Sequence, residues 1–395
     1  MAEIPGKDIS LWLDTTPQTS YPPLDDSAET PDVLVVGGGI AGILTAWHLS
    51  QAGLKVSIVE KSRIIENTTG NTTAKLTSQH NLIYDFLIKK HGKAAAQAFA
   101  DVNQQAIADI KQLSEELKIS CDFEPGDAYV YTERDDKLEK IKAEVEAARS
   151  LGLPASFETS TELPIKIKGA VKFTNQAQFH PRKFLLGIAE KLIQKGVKIY
   201  EQTEALDIET GPEPLLKTKN GSLKAKYIVG ATKYPFWRTE VFEDATWTKL
   251  SYALGVKLKT DYPRQMYIST EHPVRTIRSH PYQNGRLLIF GGESHEMTKD
   301  YNKDEHYQNL VDDVTKRFEV DQILYRWIAG DVMPSDRMPY IGAYPGEKNI
   351  FIITGFHAWG LAWGQAAAKI IHDEITRQAN DYSRYFSLER LKASG

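Results

Sequence analysis

Four apolar residues, Val33-Leu34-Val35-Val36, run directly into Gly37-Gly38-Gly39-Ile40-Ala41-Gly42 and then into the helically spaced Ile43, Leu44, Ala46, Trp47 and Leu49. No other stretch restricts the fold so tightly. A short β-branched run suits a buried parallel strand, and the change of period across a G-x-G-x-x-G spacing reads as a dinucleotide-binding turn. Gly37 permits the tight turn, Gly39 lets backbone approach a pyrophosphate, and Gly42 lets the helix pack closely on the strand. A phosphate then faces unpaired N–H groups, those of Ile40 and Ala41 among them, and the positive end of a helix. A second strand over residues 55–59 ends at Glu60, 18 residues after Gly42, where this fold sets an acidic residue against a ribose 2′-hydroxyl. That carboxylate disfavours a 2′-phosphate.

The chain's 395 residues allow two or three domains at roughly 150 residues each. With 25% charged residues and a formal net charge of −4, it lacks the basic footprint of a nucleic-acid binder. Residues 1–8 show no secretory signal pattern, and no apolar run approaches a membrane span, so a cytoplasmic protein is expected. Cys121 is the single cysteine. It excludes intrachain disulfides, and no metal site is expected.

Residues 1–30, rich in Pro, Thr, Asp and Ser, read as an arm lying on the surface, with Leu11-Trp12-Leu13 as a packing anchor. Residues 63–80, dense in hydroxyls and following directly on the ribose-binding strand, are placed to wrap the phosphates and the ring beyond. Helical patterns cover 84–118, 135–150 and 184–195, with strands at 128–132, 197–200 and 227–232. Alternating runs at 252–258, 265–268 and 286–290 predict an antiparallel sheet in a second domain, with Arg275 and Arg278 just before its last strand. A second strand-to-glycine-to-helix unit closes the chain, from Ile350 through Gly355 into a helix ending near Thr376.

Four landmarks now stand in order: VVGGGIAG with Glu60, NTTGNTTAKLTSQH, QFHPRKFLLGIAEKLIQKGVKI, and PSDRMPYIG followed by ITGFHAWGLAWGQAAAKII. Together they resemble the flavin-dependent family of D-amino acid oxidase, glycine oxidase and sarcosine oxidase. SLWLDTTPQTSYPPL, LLIFGGESH and GFHAWG look more narrowly like a bacterial subgroup that usually carries a C-terminal Rieske domain, whose Cys/His pairs these residues lack. The resemblance implies an α/β chain: a Rossmann-like FAD-binding domain over 31–85, 165–235 and 328–395, and a mixed α+β substrate domain on an antiparallel sheet over 86–164 and 236–327. It implies that Gly37, Gly39, Gly42 and Glu60 hold the pyrophosphate and ribose of FAD, and that Lys61, Thr68, Thr69, Thr73, Ala74 and Lys75 line the path to the flavin. Ala231 and Thr232 pass near the cofactor, and Gly355, Phe356, His357, Trp359, Gly360 and Leu361 frame the ring's pyrimidine end. Cys121 is misplaced for a covalent link, so non-covalent FAD is expected, with His80 the remaining candidate for attachment.

The expected chemistry is hydride removal from the α-carbon of an amine or amino acid to flavin N5, giving an imine that hydrolyses in water. Oxygen or an electron-transfer protein then accepts the electrons. A substrate carboxylate calls for a guanidinium fork, for which Arg278 is the first candidate and Arg275 the second, with Tyr252, Tyr267 and Arg337 behind them. Lys75 is placed to sit over the flavin. The alternative is a flavoprotein electron-transfer component that works with a separate iron–sulfur partner.

Overall fold

The computed structural model describes residues 4–298 and 301–393. Two sheets organise them. The first has six strands in the order Tyr340–Ala343, Ile350–Thr354, Tyr227–Lys233, Val33–Val36, Val56–Val59 and Lys198–Tyr200. Every pairing in it is parallel except that of Tyr340–Ala343 with Ile350–Thr354. Val33–Val36 and Val56–Val59 are buried at every position, as their unbroken apolar runs require. Helix Ile40–Gln51 packs beside helix Gly360–Thr376, and glycine at 364 makes this possible, since a Cβ there would come 2.9 Å from the Ile40 side chain.

The second sheet has ten strands. Its path runs Lys7–Asp8, Val320–Pro334, Thr246–Leu258, Gly285–Glu296, Arg275–Tyr282, Met266–Ser269, Glu124–Thr132, Gly169–Gln178 and Lys75–Leu76, with Ala155–Glu158 also pairing on Gly169–Gln178. It is antiparallel except at two junctions, Lys7–Asp8 on Val320–Pro334 and Met266–Ser269 on Glu124–Thr132. A separate three-stranded meander spans Ala205–Glu209, Leu215–Thr218 and Gly221–Lys224.

Several expectations need correction. The arm runs over the surface with Leu11 and Trp12 fully buried as its anchor, but it is not irregular throughout: Ser10 caps a short helix over Leu11–Asp14. The helical stretch over 84–118 is two helices, Tyr84–His91 and Lys93–Glu116, broken at Gly92, whose φ of 83° is left-handed. Arg275 and Arg278 do precede the strand Gly285–Glu296, but they lie on a further strand, Arg275–Tyr282, that pairs with it. Strands Lys75–Leu76 and Gly169–Gln178 hydrogen-bond within the large sheet, and helix Lys93–Glu116 packs on Gly360–Thr376. We propose that the two sheets mark the cofactor and substrate units, with these segments crossing between them.

Candidate functional site

Between the C-terminal ends of the parallel strands and one face of the large sheet lies a cavity of about 990 Å³, at the upper end of the range for small-molecule and cofactor sites. The glycine turn forms its first wall. Gly37 has a φ of 111°, and a Cβ there would collide with the Ala231 carbonyl. A Cβ on Gly42 would collide with the Gly37 carbonyl oxygen, so the helix can approach the turn only with glycine at 42. Gly39 begins helix Ile40–Gln51 with no side-chain cap, which leaves N–H groups of the helix terminus facing the cavity. The Thr69 hydroxyl accepts from one of them, the Ile40 N–H, at 3.1 Å. Glu60 is buried and accepts from the Gly38 N–H at 2.8 Å and from the Ser62 N–H and hydroxyl at 3.0 Å. A carboxylate has about four acceptor sites, so it tethers the turn and keeps capacity for a ribose hydroxyl.

The hydroxyl-rich loop forms the second wall, and buried residues hold it from behind. Thr68 donates to the Gly330 carbonyl at 3.2 Å. The Trp12 indole donates to the Thr72 carbonyl at 2.6 Å, and the Trp327 indole to that of Asn71 at 2.9 Å. Ile65 and Ala74 adopt left-handed backbone, as do Lys233, His357 and Ala358 elsewhere around the cavity. Strain of this kind persists where surrounding structure over-determines it, commonly at ligand sites. Lys75 is buried at the loop's end, and its ammonium donates to the Thr276 hydroxyl.

Burial, and then the neighbouring Arg278 guanidinium, pull the Lys75 ammonium down to about 7 from an ordinary 10.5. Between those values the unfolded chain holds more protons than the folded one. Stability from this group is therefore complete above about pH 10.5 and is lost as pH falls towards 7. Lys75→Met is thus expected to raise the denaturation midpoint of the apoprotein most near pH 6 and least near pH 10. Parallel pH profiles for the two proteins would show that Lys75 titrates as an ordinary lysine.

The third wall carries Ala231, Thr232, Gly355, Phe356, His357, Trp359, Gly360 and Leu361. These end at the N-terminus of helix Gly360–Thr376, whose positive end suits an electron-rich ring. The His357 imidazole is held neutral at about 3 by burial first, with Lys249 and Arg337 adding to it. Trp359 stacks flat on His80, ring centroids 4.7 Å apart, so the indole stands between His80 and the cavity. Cys121 is buried and does not line the cavity. Neither is positioned for attachment to a cofactor.

Lys61 and Thr73 also line the cavity, whereas Gly42 and Ala74 support it from outside. The arginines expected to read a carboxylate do not reach it. Arg278 is fully buried behind the loop, donating to the carbonyls of Thr73, at 3.3 Å, and Ala74, and lying 3.0 Å from His280 Nδ1. Arg275 lies elsewhere on the sheet, bound to Glu293 at 2.8 Å and Asp313 at 2.5 Å. Tyr267 is buried against Tyr129, and the Arg337 guanidinium sits over the Phe86 ring. Tyr252 lines part of the cavity, but its hydroxyl lies 3.1 Å from His295 Nε2 and its ring stacks on His306.

Sequence reasoning missed the sheet face itself. Trp247, Lys249 and Ser251 alternate along Thr246–Leu258, with Ser294 and Asp331 from its two neighbouring strands also lining the cavity. The signal was present as polar residues at every second position, and it was lost by starting that strand at Tyr252.

A glycine turn on a parallel sheet, an acidic residue closing the next strand, and a cavity continuing to a second helix terminus define a dinucleotide-dependent oxidoreductase architecture. The chain belongs to the DAO family of FAD dependent oxidoreductases, whose model matches residues 32–374. It is 34% identical over 385 residues to YhfW of Bacillus subtilis, a protein named for a Rieske 2Fe-2S iron–sulfur centre, covering 97% of this chain and 75% of that one. It is 23% identical to the gamma-glutamylputrescine oxidoreductase of Escherichia coli, over 95% of this chain and 91% of that one. Glycine oxidase from Geobacillus kaustophilus shares its fold, with a TM-score of 0.78 at 18% identity, covering 91% of this chain and 99% of that one. L-amino acid deaminase from Proteus myxofaciens does so with a TM-score of 0.76 at 17% identity, covering 95% and 96%. The cofactor is FAD, and the side-chain-free cradle at Gly37 and Gly39, the open helix terminus and Glu60 fit its diphosphate and ribose. Among the described residues no helix is long and apolar enough to cross a membrane.

Proposed function

We propose that the chain oxidises the carbon–nitrogen bond of a small amine or amino acid, with Gly37, Gly39, Glu60 and Thr69 holding the diphosphate and ribose end of FAD. The observation that carries this is one continuous cavity joining the glycine turn to a polar sheet face, opposite the N-terminus of helix Gly360–Thr376. Bound FAD supplies an acceptor for the hydride leaving the substrate's α-carbon, and the resulting imine hydrolyses in water. The protein's part is position and electrostatics. With FAD bound, the helix terminus would stabilise negative charge on the ring, the sheet face would orient the substrate's C–H bond, and neutral His357 would add a hydrogen-bonding group without charge.

Anaerobic titration of the yellow protein with glycine, sarcosine, proline, D- and L-amino acids and simple amines is expected to bleach it with one class of compound. A protein that binds FAD and is bleached by none of them would sink this reading. The 34% identity to a protein named for an iron–sulfur centre favours a second reading, electron transfer to such a partner. Admitting air to the bleached protein separates the two: rapid recovery marks oxygen as acceptor, and recovery only with an added iron–sulfur protein marks the partner.

A further inference from the structure

None of residues 4–31 lines the cavity, yet the arm they form is fastened to the loop that does. The arm also lies outside the stretch that the family model matches, which begins at residue 32. Two of its fastenings are direct. The buried Ser10 hydroxyl donates to the Gly70 carbonyl, and the Trp12 indole donates to that of Thr72 at 2.6 Å.

Two more pass through buried ions that belong to neither segment. Arg182, on helix Pro181–Gln194, donates to the Thr16 hydroxyl and the Pro17 carbonyl, both at 2.6 Å, and also to the carbonyls of Ile65 at 3.1 Å and Ile64 at 3.4 Å. Glu201, just past strand Lys198–Tyr200, accepts from the Thr19 hydroxyl, from the Tyr21 N–H at 2.9 Å and from the Ile64 N–H at 2.8 Å. Both side chains are fully buried, and a buried charge is tolerable only where hydrogen bonds replace its water. The arm supplies two of these four acceptors to Arg182 and two of these three donors to Glu201.

The loop is gripped where its backbone is least relaxed. Ile65 is β-branched and left-handed, with a φ of 59°, which such a residue adopts only where its surroundings impose it. Arg182 holds its carbonyl, and its N–H donates to the Gly38 carbonyl at 2.9 Å, within the glycine turn. Contacts therefore run from the arm through Arg182 and Ile65 to the turn, and through Gly70 and Thr72 to the hydroxyl-rich stretch.

We propose that the arm over residues 10–24 is part of the FAD-holding machinery, and that Arg182 and Glu201 are positioning residues. Seated on those two ions, the arm sets the loop over 63–75 in the shape that takes the cofactor, and bound FAD in turn fastens the arm. The proposal goes beyond the oxidation reading and holds whichever substrate is oxidised.

The test titrates the apoprotein of the full chain with FAD, followed by flavin fluorescence, beside a thermal midpoint for each variant. Trp12→Phe keeps an aromatic ring and deletes one donor to the loop, and should weaken FAD about 2- to 10-fold. Arg182→Met should weaken it roughly 10- to 100-fold, with Arg182→Lys in between. Ile141→Ala is the control for stability alone. It opens a void in helix Leu138–Ser150, none of which lines the cavity, so it should lower the midpoint and leave FAD affinity within about twofold. Amide hydrogen exchange on the unsubstituted protein reads the coupling from the other side, because coupling between two sites is reciprocal. FAD should slow exchange across residues 10–24, and Arg182→Met should abolish that slowing.

Lower midpoints in Trp12→Phe and Arg182→Met with FAD affinity unchanged would make the arm a brace for the fold and overturn the proposal. Exchange in the arm that is indifferent to FAD would overturn it as well. If Arg182→Met does not fold, Trp12→Phe and the exchange measurement decide. Arm-dependent FAD affinity in a protein that no amine or amino acid bleaches would support the arm's role and overturn the oxidation reading.

Discussion

Gly42→Val is expected to purify without FAD. The side chain has no space to enter, because even its Cβ would fall on the carbonyl oxygen of Gly37, with the Val35 side chain 3.3 Å away on the other side. Backbone cannot yield as a flexible side chain does. Helix Ile40–Gln51 would have to lift from strand Val33–Val36, carrying with it the helix terminus proposed to hold the diphosphate and disturbing its contact with helix Gly360–Thr376. Overpacking alone costs about 1–3 kcal/mol, and the displaced helix terminus forfeits the cofactor's own stabilisation as well. Visible absorbance per protein and the thermal midpoint, with and without added FAD, measure both losses. A contrasting variant is Gly53→Ala: its backbone is also left-handed, but nothing lies within 4 Å of the added Cβ, so FAD should be retained at some cost in stability. Full FAD occupancy in Gly42→Val would mean that the turn is not where the dinucleotide is held.

Arg278→Met is expected to destabilise the protein rather than to abolish substrate recognition. The guanidinium is fully buried under the loop and satisfies the carbonyls of Thr73 and Ala74 while lying over the Trp12 ring. Methionine leaves those carbonyls without a donor in a dry site, at about 1–3 kcal/mol for each unsatisfied group. Part of this is offset, because burial disfavours the charge itself and pulls the guanidinium down to about 9. A net loss of about 2–4 kcal/mol should appear in the urea midpoint. With Arg278 gone, Lys75 also loses the cation that disfavours its own charge, so its pKa should rise. If Arg278 read the substrate's carboxylate directly, the variant would instead keep its stability and lose KM selectively.

The two outcomes also mark where sequence was informative. The turn was readable because each glycine's role is local: strand, turn and helix follow one another within a dozen residues, and Glu60 closes the very next strand. The same holds for Gly355 to Leu361, where strand and helix again meet across a short glycine loop. Lys61, Thr68, Thr69 and Thr73 were placed by their position after the ribose-binding strand, and the loop does line the cavity.

The arginines were misjudged for a different reason. A guanidinium near a strand can serve a ligand, an ion pair or a row of backbone carbonyls, and its sequence neighbours do not distinguish these. Arg275 and Arg278 lie three residues apart on an extended strand, where side-chain period is two, so they project to opposite faces. One meets Glu293 and Asp313, and the other meets the underside of a loop two hundred residues away in sequence. Trp12 is similar. Its contacts, His180, His280 and the Thr72 carbonyl, come from three distant parts of the chain.

By itself, then, the sequence determined the dinucleotide turn, the class of cofactor and the order of the segments around it, because these rest on backbone conformations that a few consecutive residues dictate. Only the tertiary structure decided which charged side chains line the cavity. Lys249 and Asp331 are set opposite each other by a pairing between strands from distant parts of the chain, and a shift of one residue in that register would turn one of them away from the cavity.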